Sequence, residues 1–334
     1  MTGDESFDVS AIVVNWNTRH LLDYCLKSLA DLDAAGRRGE TIVVDNGSTD
    51  GSAEHVATNW PRVRLITNVE NLGYQRANNQ AIRLSRGRVL LLINADARLR
   101  PGAVDRMLRR MESDPATGVV GPRLEYEDGR FQRWTAGRAP DLRSAAGYWL
   151  FLERFSRSQH AASIFLSRDV HTAFRPDWVS SACMLVRREA LDDVGLMDER
   201  YFVYMDDVDL CQRIRDAGWS VWYEPKAEAV HLMGGASKQV AGEASPAAIE
   251  NFNDYFRRRH GAVAVRVLEA MQLAGYGSRA ALYGARRLIR AHPADGRKAR
   301  EHLRNAGVVW RSARAGPRDR SDADHAHETQ GQSL

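Results

Sequence analysis

The chain has 334 residues, of which 44% are hydrophobic and 27% charged, an ordinary composition for a globular protein of one large or two modest domains. The three cysteines, Cys25, Cys183 and Cys211, are far apart and indicate neither a disulfide framework nor a metal motif, so we expect a reducing, cytoplasmic location. The polar, acidic N-terminus is unlike a secretory signal, and no apolar run is long enough to span a bilayer. These features argue against an exported or membrane-spanning protein.

Charge is distributed unevenly along the chain. The formal net charge is +4, but residues 252–314 contain fourteen Arg or Lys and four Asp or Glu, so this segment carries about +10 and the rest about −6. An acidic body with a basic C-terminal arm predicts two surfaces with different partners. The arm shows no aromatic-basic binding motif, so we expect no nucleic-acid partner.

The first half of the chain alternates strand and helix signals. The predicted strands are short and rich in apolar residues without clear alternation, which favours a mostly parallel sheet buried between layers of helices, an α/β fold. These strands are Val9–Asn15, Glu40–Asp45, Val63–Thr67, Arg88–Ile93 and Gly118–Gly121. The predicted helices cover residues 18–30, the segment after the turn DNGSTDGS with Asp50 as its N-cap, residues 75–86, and the segment from Pro101 to about Asp114.

The pattern becomes irregular from Arg123. Residues 123–176 mix aromatics with arginines and predict loops and short helices, before a strand at residues 178–186 and closure of the sheet near His231. Residues 250–312 predict helices broken at residues 275–277 and 292–293, and the polar chain from residue 316 predicts disorder. We therefore expect a sheet-containing domain, a basic helical region and a disordered tail, at residues 1–245, 246–314 and 315–334.

Polar clusters follow several of the predicted strands. In an open parallel sheet, ligands bind at the carboxyl ends of the strands, so convergence of these clusters predicts a binding site, although each alone is also typical of a turn. The clusters are Asn15-Trp16-Asn17, Asp45-Asn46-Gly47-Ser48, Asn94-Ala95-Asp96 and the pair Asp206-Asp207. Neither GxGxxG nor GxxxxGK[ST] is present, which argues against a dinucleotide oxidoreductase and a P-loop enzyme.

Two of the clusters carry carboxylates suited to chemistry. Asp206 and Asp207, with Asp209, directly follow an aromatic run, where repulsion and desolvation disfavour ionised groups, so we expect catalysis or cation binding rather than a solvated helix start. Asp96 follows a buried strand, and one carboxylate with diphosphate oxygens can hold Mg²⁺ or Mn²⁺. The alternative for Asp96 is a cap for the helix after Pro101.

Six segments together carry a family resemblance. VNWN, VVDNGSTDGS, NLGYQRANNQAI, LLLINAD, WVSSACMLVRREALDDVGLMDERYFVYMDDVDLCQR and AVHLMGGAS occur in that order between about residues 8 and 260. The chain thus resembles the family 2 inverting glycosyltransferases of the GT-A fold, in particular a rhamnosyltransferase-like bacterial branch. The resemblance implies transfer of a sugar from a nucleotide-diphosphate donor to a glycan, a lipid-linked acceptor or a small molecule, in polysaccharide biosynthesis.

The resemblance also implies roles for individual residues. Asp207 corresponds to the aspartate of a Glu-Asp pair and is the expected catalytic base, with Asp206 beside it in place of the glutamate. Asp96 is expected to bind the cation, and His231 can complete that metal site. The expected lining of the nucleotide-sugar pocket is Asn15, Asn17, Asp45, Asn71, Gly73, Asn78 and Asn94, with Asp96.

The sequence departs from the family pattern at three positions. Ala95 replaces a common proline, which is a small change. Asp206 replaces the usual glutamate, which shortens its reach toward an acceptor. Tyr74 replaces a common phenylalanine and adds a hydroxyl group for which the pattern assigns no use.

Other functions are weighed against this one. A nucleotidyltransferase on a similar sheet is a second hypothesis, but the expected glycine-rich basic loop after the first strand is missing. A non-catalytic protein that binds nucleotide sugars or glycans is a third, and the presence of both Asp96 and Asp207 argues against it.

The basic arm has two interpretations of its own. Its apolar stripe, which includes Val263, Val267 and Met271 and continues through Leu282, Leu288 and Ile289, predicts packing against the catalytic domain. The alternative is peripheral contact with an anionic membrane at its inner face, suited to a lipid-linked acceptor. A homodimer is left open.

Overall fold

The computed structural model describes residues 7–33, 38–155, 163–232, 246–290 and 292–315. The chain divides into two compact units, residues 1–245 and 246–334. The first unit contains the sheet, and the described part of the second is helical. The segment that the sequence predicts to be disordered, from residue 316, lies outside the described residues.

The first unit is organised by one eight-stranded sheet. Its strands are β1 Phe7–Asn15, β2 Gly39–Asn46, β3 Arg64–Asn68, β4 Gly87–Asn94, β5 Ala97–Leu99, β6 Thr117–Glu125, β9 Cys183–Arg187 and β10 Ser220–His231. They lie in the order β3-β2-β1-β4-β9-β6-β10-β5. Two further short strands, β7 Ala136–Gly137 and β8 Trp178–Val179, pair with each other outside this sheet.

The sheet is mostly parallel, as the apolar strands predict. β1 pairs in parallel with β2 and β4, β2 with β3, and β6 with β10. β9 runs antiparallel between β4 and β6, and β5 runs antiparallel to β10. The register sets Asn15 beside Asp45 and Val14 beside Asn94. The polar ends of β1, β2 and β4 therefore lie along one edge of the sheet.

Helices cover the sheet through apolar faces. Leu22, Leu26 and Met107 lie on helices and join strand residues such as Leu91 and Leu185 in one buried core. Burial of such side chains, each worth roughly 1.5–3 kcal/mol, is the main source of stability for this arrangement. The helices of the first unit are α1 Arg19–Leu29, α2 Ser52–Asn59, α3 Tyr74–Leu84, α4 Ala103–Glu112, α5 Leu142–Trp149, α6 Arg188–Val194 and α7 Asp206–Asp216.

Most predicted elements are confirmed to within a few residues, with two local differences in the first unit. The helix after the DNGSTDGS turn is preceded by Gly51 as its N-cap rather than by Asp50, although the Asp50 carboxylate still accepts a hydrogen bond of 3.1 Å from the backbone N–H of Ser52. The single strand predicted over residues 178–186 is two strands, β8 and β9, separated by a turn at residues 180–182. That turn becomes part of the candidate site.

The second unit contains two helical segments, α8 Pro246–Arg290 and α9 Pro293–Ala315. The predicted break at residues 292–293 is confirmed, but the break predicted at residues 275–277 is wrong. The helix continues there because Tyr276 is buried, and packing outweighs the cost of about 1 kcal/mol for each helical glycine. The real interruption is Gly261, whose φ of 85° and ψ of 174° are not helical.

The apolar stripe of α8 contains several exposed side chains. Val263, Leu288 and Ile289 are 81%, 88% and 82% exposed, and Val267 and Leu282 are also exposed. These side chains are therefore not buried within the helical unit itself. Among the described residues, no helix combines the length and apolar character needed to cross a membrane.

Candidate active site

The ends of β1 and β2 form one polar wall of the site. Asn15 is fully buried and Asp45 is nearly so. The Asn15 side-chain amide donates to Asp45 Oδ1 at 2.9 Å, and the Ser48 backbone N–H donates to Asp45 Oδ2 at 3.1 Å. Each carboxylate oxygen has a second lone pair, so Asp45 can still accept an N–H group from a ligand.

Asn17 joins the loops that follow these two strands. Its backbone is left-handed, with φ of 52°, a conformation that asparagine tolerates better than most residues. Asn17 Oδ1 accepts from the Thr49 backbone N–H at 2.8 Å, and the Asn17 N–H donates to Ser48 Oγ at 3.0 Å. Asn17 therefore fixes the shape of the wall that Asn15 and Asp45 line.

The segment before α3 is fastened to the segment before α7. Gly73 has φ of 86°, and a Cβ atom there would lie 2.8 Å from the ring of Phe202, so no larger residue fits. The Tyr74 N–H donates to the Phe202 carbonyl at 2.9 Å. Asn71 Oδ1 accepts from the Asn46 side chain at 2.8 Å, which ties the same segment to the end of β2.

Two predicted pocket residues have buried oxygen atoms without a hydrogen-bond partner. Asn78 donates to the Tyr74 carbonyl at 2.9 Å, but its Oδ1 atom is unpaired. Asn94 Oδ1, at the end of β4, is also buried and unpaired. Buried acceptors are almost always satisfied, so such atoms mark places where a ligand can supply a donor.

Asp96 and His231 lie together at the far end of the sheet edge. Their closest atoms, Asp96 Oδ1 and His231 Nε2, are 3.4 Å apart, and both side chains are largely buried. The helix after Pro101 has Gly102 as its N-cap, so Asp96 does not cap it. Among the described residues, no group of three His, Cys, Asp or Glu side chains is placed to hold a metal ion.

Gln132, which the sequence patterns do not single out, fixes the orientation of His231. Its amide nitrogen donates to the carbonyls of Glu125 and His231, so its oxygen must face the His231 ring, where Oε1 lies 3.2 Å from Nδ1. In the tautomer with its hydrogen on Nδ1, His231 donates to Gln132 and has the lone pair of Nε2 on the side of Asp96, as a metal ligand requires. Asp96 and His231 thus fit a cation that takes its other ligands from a diphosphate and water.

The acidic pair sits on a strained backbone at the start of α7. Tyr204 and Met205 have φ of 66° and 65°, the left-handed region that side-chain-bearing residues rarely adopt. Asp206 is buried, its Oδ2 atom has no hydrogen-bond partner, and Asp207 is half-buried. Strain of this kind is characteristic of functional sites, where the surrounding structure holds it in place.

Burial governs the protonation of this pair. Loss of solvation, followed by the negative charge of Asp206, raises the pKa of Asp207 to about 8. Burial also raises the pKa of Asp206, and burial and the Asp206 charge raise the pKa of Tyr74. A carboxylate whose pKa lies near neutral pH is well matched to accepting a proton from a hydroxyl group.

Ser181 connects the acidic pair to the rest of the site and was not predicted. Its hydroxyl group lowers the pKa of Asp206 and its backbone N–H lowers that of Asp207, so Ser181 lies beside both carboxyl groups, and its carbonyl accepts from the Tyr74 hydroxyl at 3.2 Å. The next residue, Ala182, accepts from the Asn94 backbone N–H at 3.0 Å. The end of β4 and the start of α7 therefore border the same turn, so the Asn94 and Asp206-Asp207 clusters converge there.

The chain is similar to proteins of one enzyme family. A sequence model described as "Glycosyl transferase family 2" matches residues 10–195, more than half of the chain. An N-acetylglucosaminyl-diphospho-decaprenol L-rhamnosyltransferase of Mycobacterium tuberculosis is 34% identical over 217 residues, which cover 61% of this chain and 70% of that protein. An N-acetylglucosaminyltransferase of Bradyrhizobium elkanii is 35% identical over 103 residues, covering 30% of this chain and 56% of that protein.

Solved structures share the fold. The mannosyltransferase PcManGT from Pyrobaculum calidifontis, in complex with GDP-Man and Mn²⁺, superposes with a TM-score of 0.51 at 17% identity, covering 92% of this chain and 87% of that one. GalNAc-T7 with UDP, GalNAc and Mn²⁺ superposes with a TM-score of 0.52 at 13% identity, covering 78% of this chain and 52% of that one. At these identities the likeness concerns the fold alone, and it confirms the predicted GT-A arrangement.

Proposed function

Because the chain belongs to glycosyl transferase family 2, we propose that it is an inverting enzyme that transfers a sugar from a nucleotide-diphosphate donor to an acceptor hydroxyl group. The observation that carries the proposal is the turn at residues 180–182, which borders both the Asn94 end of β4 and the acidic pair. This closeness supports a donor site and an acceptor base that lie side by side. The same arrangement argues against a protein that only binds sugar nucleotides.

Asp207 is the proposed base. A hydroxyl group is a poor nucleophile while it keeps its proton, and a carboxylate within hydrogen-bond reach removes that proton as the new bond forms. The raised pKa of Asp207 favours this transfer. One base acting on one face of the sugar fits a single displacement with inversion, because no second carboxylate is needed as a nucleophile.

The donor pocket is proposed to run along the sheet edge. Asp45 accepts the ring N–H of the nucleobase, the Asn15, Asn17 and Asn71 network holds the pocket walls, and Asn94 lies near the ribose. Asp96 and His231 hold a divalent cation, Mg²⁺ or Mn²⁺, which when bound neutralises charge on the leaving diphosphate. The solved neighbours contain Mn²⁺ with a nucleotide or nucleotide sugar, which supports this choice.

The acceptor is proposed to be lipid-linked. The mycobacterial relative is named as a rhamnosyltransferase acting on N-acetylglucosaminyl-diphospho-decaprenol, which supports a deoxysugar donor and a polyprenyl diphosphate acceptor here.

A thermal-shift screen of nucleotide sugars, with Mg²⁺ or Mn²⁺, tests the donor because a ligand of the folded state raises the melting temperature. Release of a nucleoside diphosphate supports the proposal, whereas release of pyrophosphate would indicate a nucleotidyltransferase.

The acidic pair predicts a pH dependence. The base must be ionised, so kcat/KM is expected to rise with pH and to level off above about 8, the pKa of Asp207. Asp206→Asn removes the neighbouring negative charge, lowers the pKa of Asp207 and moves the acid limb of the profile to lower pH. Rate profiles of both proteins measure this shift, and Asp216→Asn at the other end of α7 is the matched control. A limb that stays in place would contradict the coupling of the two carboxylates.

Gln132 predicts an effect on cation affinity. Gln132→Leu removes the acceptor that holds the His231 ring, and loss of such an outer partner typically costs about 10–100-fold in metal affinity. Titration of Mn²⁺ into the protein in the presence of nucleoside diphosphate measures the change. His55→Leu is the control, because it also removes a hydrogen-bonded side chain, an imidazole that pairs with Asp23 rather than with His231. Unchanged affinity in Gln132→Leu would remove His231 from the cation site.

A further inference from the structure

One face of α8 is exposed and apolar over its whole second part. Between residues 262 and 289, the exposed positions are filled mainly by Val, Leu, Ile, Ala and Gly. At about 1.5 Å per residue this face is roughly 40 Å long. The large members of this face, called the α8 stripe below, are Val263, Val267, Leu282, Leu288 and Ile289, with exposures of 81%, 41%, 50%, 88% and 82%.

The charges beside the α8 stripe all have one sign. Arg266, Arg286 and Arg287 are exposed, whereas the single acidic residue in this stretch, Glu269, is buried and paired with Arg257 and Arg266. The neighbouring helix α9 adds the exposed basic residues Arg297, Lys298 and Arg300. Between residues 262 and 289, no acidic side chain is exposed to offset this charge.

Charge decides what kind of partner fits. A second copy that packed its own α8 stripe here would bring arginine toward arginine and offer no exposed carboxylate in return. An anionic surface instead satisfies the arginines while an apolar layer receives the large aliphatic side chains. A helical face with exposed aliphatic residues and only basic exposed charges beside it is typical of a segment that lies in the interface of a bilayer.

We propose that the α8 stripe docks on an anionic lipid bilayer, with Leu288 and Ile289 entering the headgroup layer and the nearby arginines contacting lipid phosphates. The docking surface deepens the proposed function and rests on it for its purpose, since a polyprenyl-linked acceptor is held in a membrane. It places the enzyme on the surface where that acceptor lies. The physical requirement is the anionic charge of the lipid, not one particular headgroup.

Sedimentation of the full chain with lipid vesicles tests the docking. The wild type is expected to sediment with vesicles of phosphatidylcholine and phosphatidylglycerol, less so at high salt, and not with phosphatidylcholine alone, because salt screens the arginine–phosphate attraction. Leu288→Ser/Ile289→Ser and Arg286→Glu/Arg287→Glu are each expected to lower the bound fraction by about tenfold or more.

Matched controls come from the first unit. Val69→Ser/Leu84→Ser removes two exposed aliphatic side chains there, and Arg62→Glu/Arg109→Glu reverses two exposed charges. Both controls should sediment like the wild type. All substituted side chains are exposed, so the urea midpoints of the variants should match that of the wild type, which separates loss of docking from loss of folding.

Three results of the sedimentation assay would overturn the proposal. These are equal binding to phosphatidylcholine alone, no sedimentation with anionic vesicles, and full binding by Leu288→Ser/Ile289→Ser. A lipid-free dimer that dissociates on Leu288→Ser/Ile289→Ser would also overturn it, because a second copy would then occupy the stripe. The assay contains no sugar nucleotide, so failure of docking in a protein that still cleaves its donor would leave the proposed transfer reaction standing.

Discussion

Replacement of Asp207 by asparagine is expected to lower the rate of sugar transfer by about 10²–10⁴-fold, the usual contribution of a positioned base. The amide cannot accept the proton of the acceptor hydroxyl, but it keeps the size of the side chain and the hydrogen-bond acceptor that faces the Val208 N–H. Binding of the donor should therefore remain near the wild-type level. Transfer assays and isothermal titration with the nucleotide sugar measure the two quantities separately.

The same substitution should not destabilise the protein. Because the pKa of Asp207 is about 8 when folded and about 3.9 for an unperturbed aspartate, the folded state holds the proton more tightly. The free energy of unfolding of the wild type therefore falls as pH rises between these values. Asparagine is neutral throughout, so the variant should gain relative stability toward alkaline pH. Asp209→Asn is a control within the same helix, and full turnover by Asp207→Asn would reject Asp207 as the base.

Replacement of Asp96 by asparagine is expected to weaken cation-dependent donor binding strongly. Loss of a residue that only orients a metal ligand typically costs about 10–100-fold in metal affinity, and loss of the ligand itself should cost more. Asparagine lacks the charge that a hard divalent cation prefers in an oxygen ligand. Calorimetric titration of the donor, with Mn²⁺ and again with excess chelator, measures the effect. The chelator should reduce wild-type affinity to nearly that of the variant.

Asp128→Asn supplies the control for Asp96. Asp128 is an exposed carboxylate in the turn after β6, where it pairs with Arg130, so its loss removes the same charge without touching the sheet edge. Donor binding by this variant should respond to Mn²⁺ as the wild type does. If Asp96→Asn keeps full activity in the presence of chelator, the cation assignment fails.

Much of the sheet could be predicted because burial leaves a direct signature. Residues 89–93 are apolar at every position, a pattern typical of a strand covered on both faces. The position of β9 could not be predicted, since no local pattern indicates that Cys183–Arg187 enters the sheet between β4 and β6 in the opposite direction. The glycines near Tyr276 misled the prediction because local propensity is weaker than packing.

Residues of the candidate site could be predicted where they belong to a sequence motif. Residues that reach the site only through the folded geometry could not be predicted. Asp96 and His231 are neighbours in the structure, as the resemblance implies. Gln132 and Ser181 act through hydrogen bonds to residues far along the chain, and glutamine or serine in a loop has no distinguishing pattern. The exposure of the α8 stripe could not be predicted either, because the sequence pattern of an apolar helical face is the same whether that face is buried or exposed to solvent.

The central place of β9 has a consequence for synthesis on the ribosome. β4 and β6 are both translated well before residue 183. Each of them forms hydrogen bonds with β9 in the finished sheet, so one edge of each strand stays unpaired until β9 has been made. A nascent chain therefore carries two open strand edges in the middle of its future sheet, and such edges invite pairing with other chains. The sheet of this unit can therefore be completed only after β9 has been translated. Fragments that end before Arg187 lack β9 and should remain prone to aggregation.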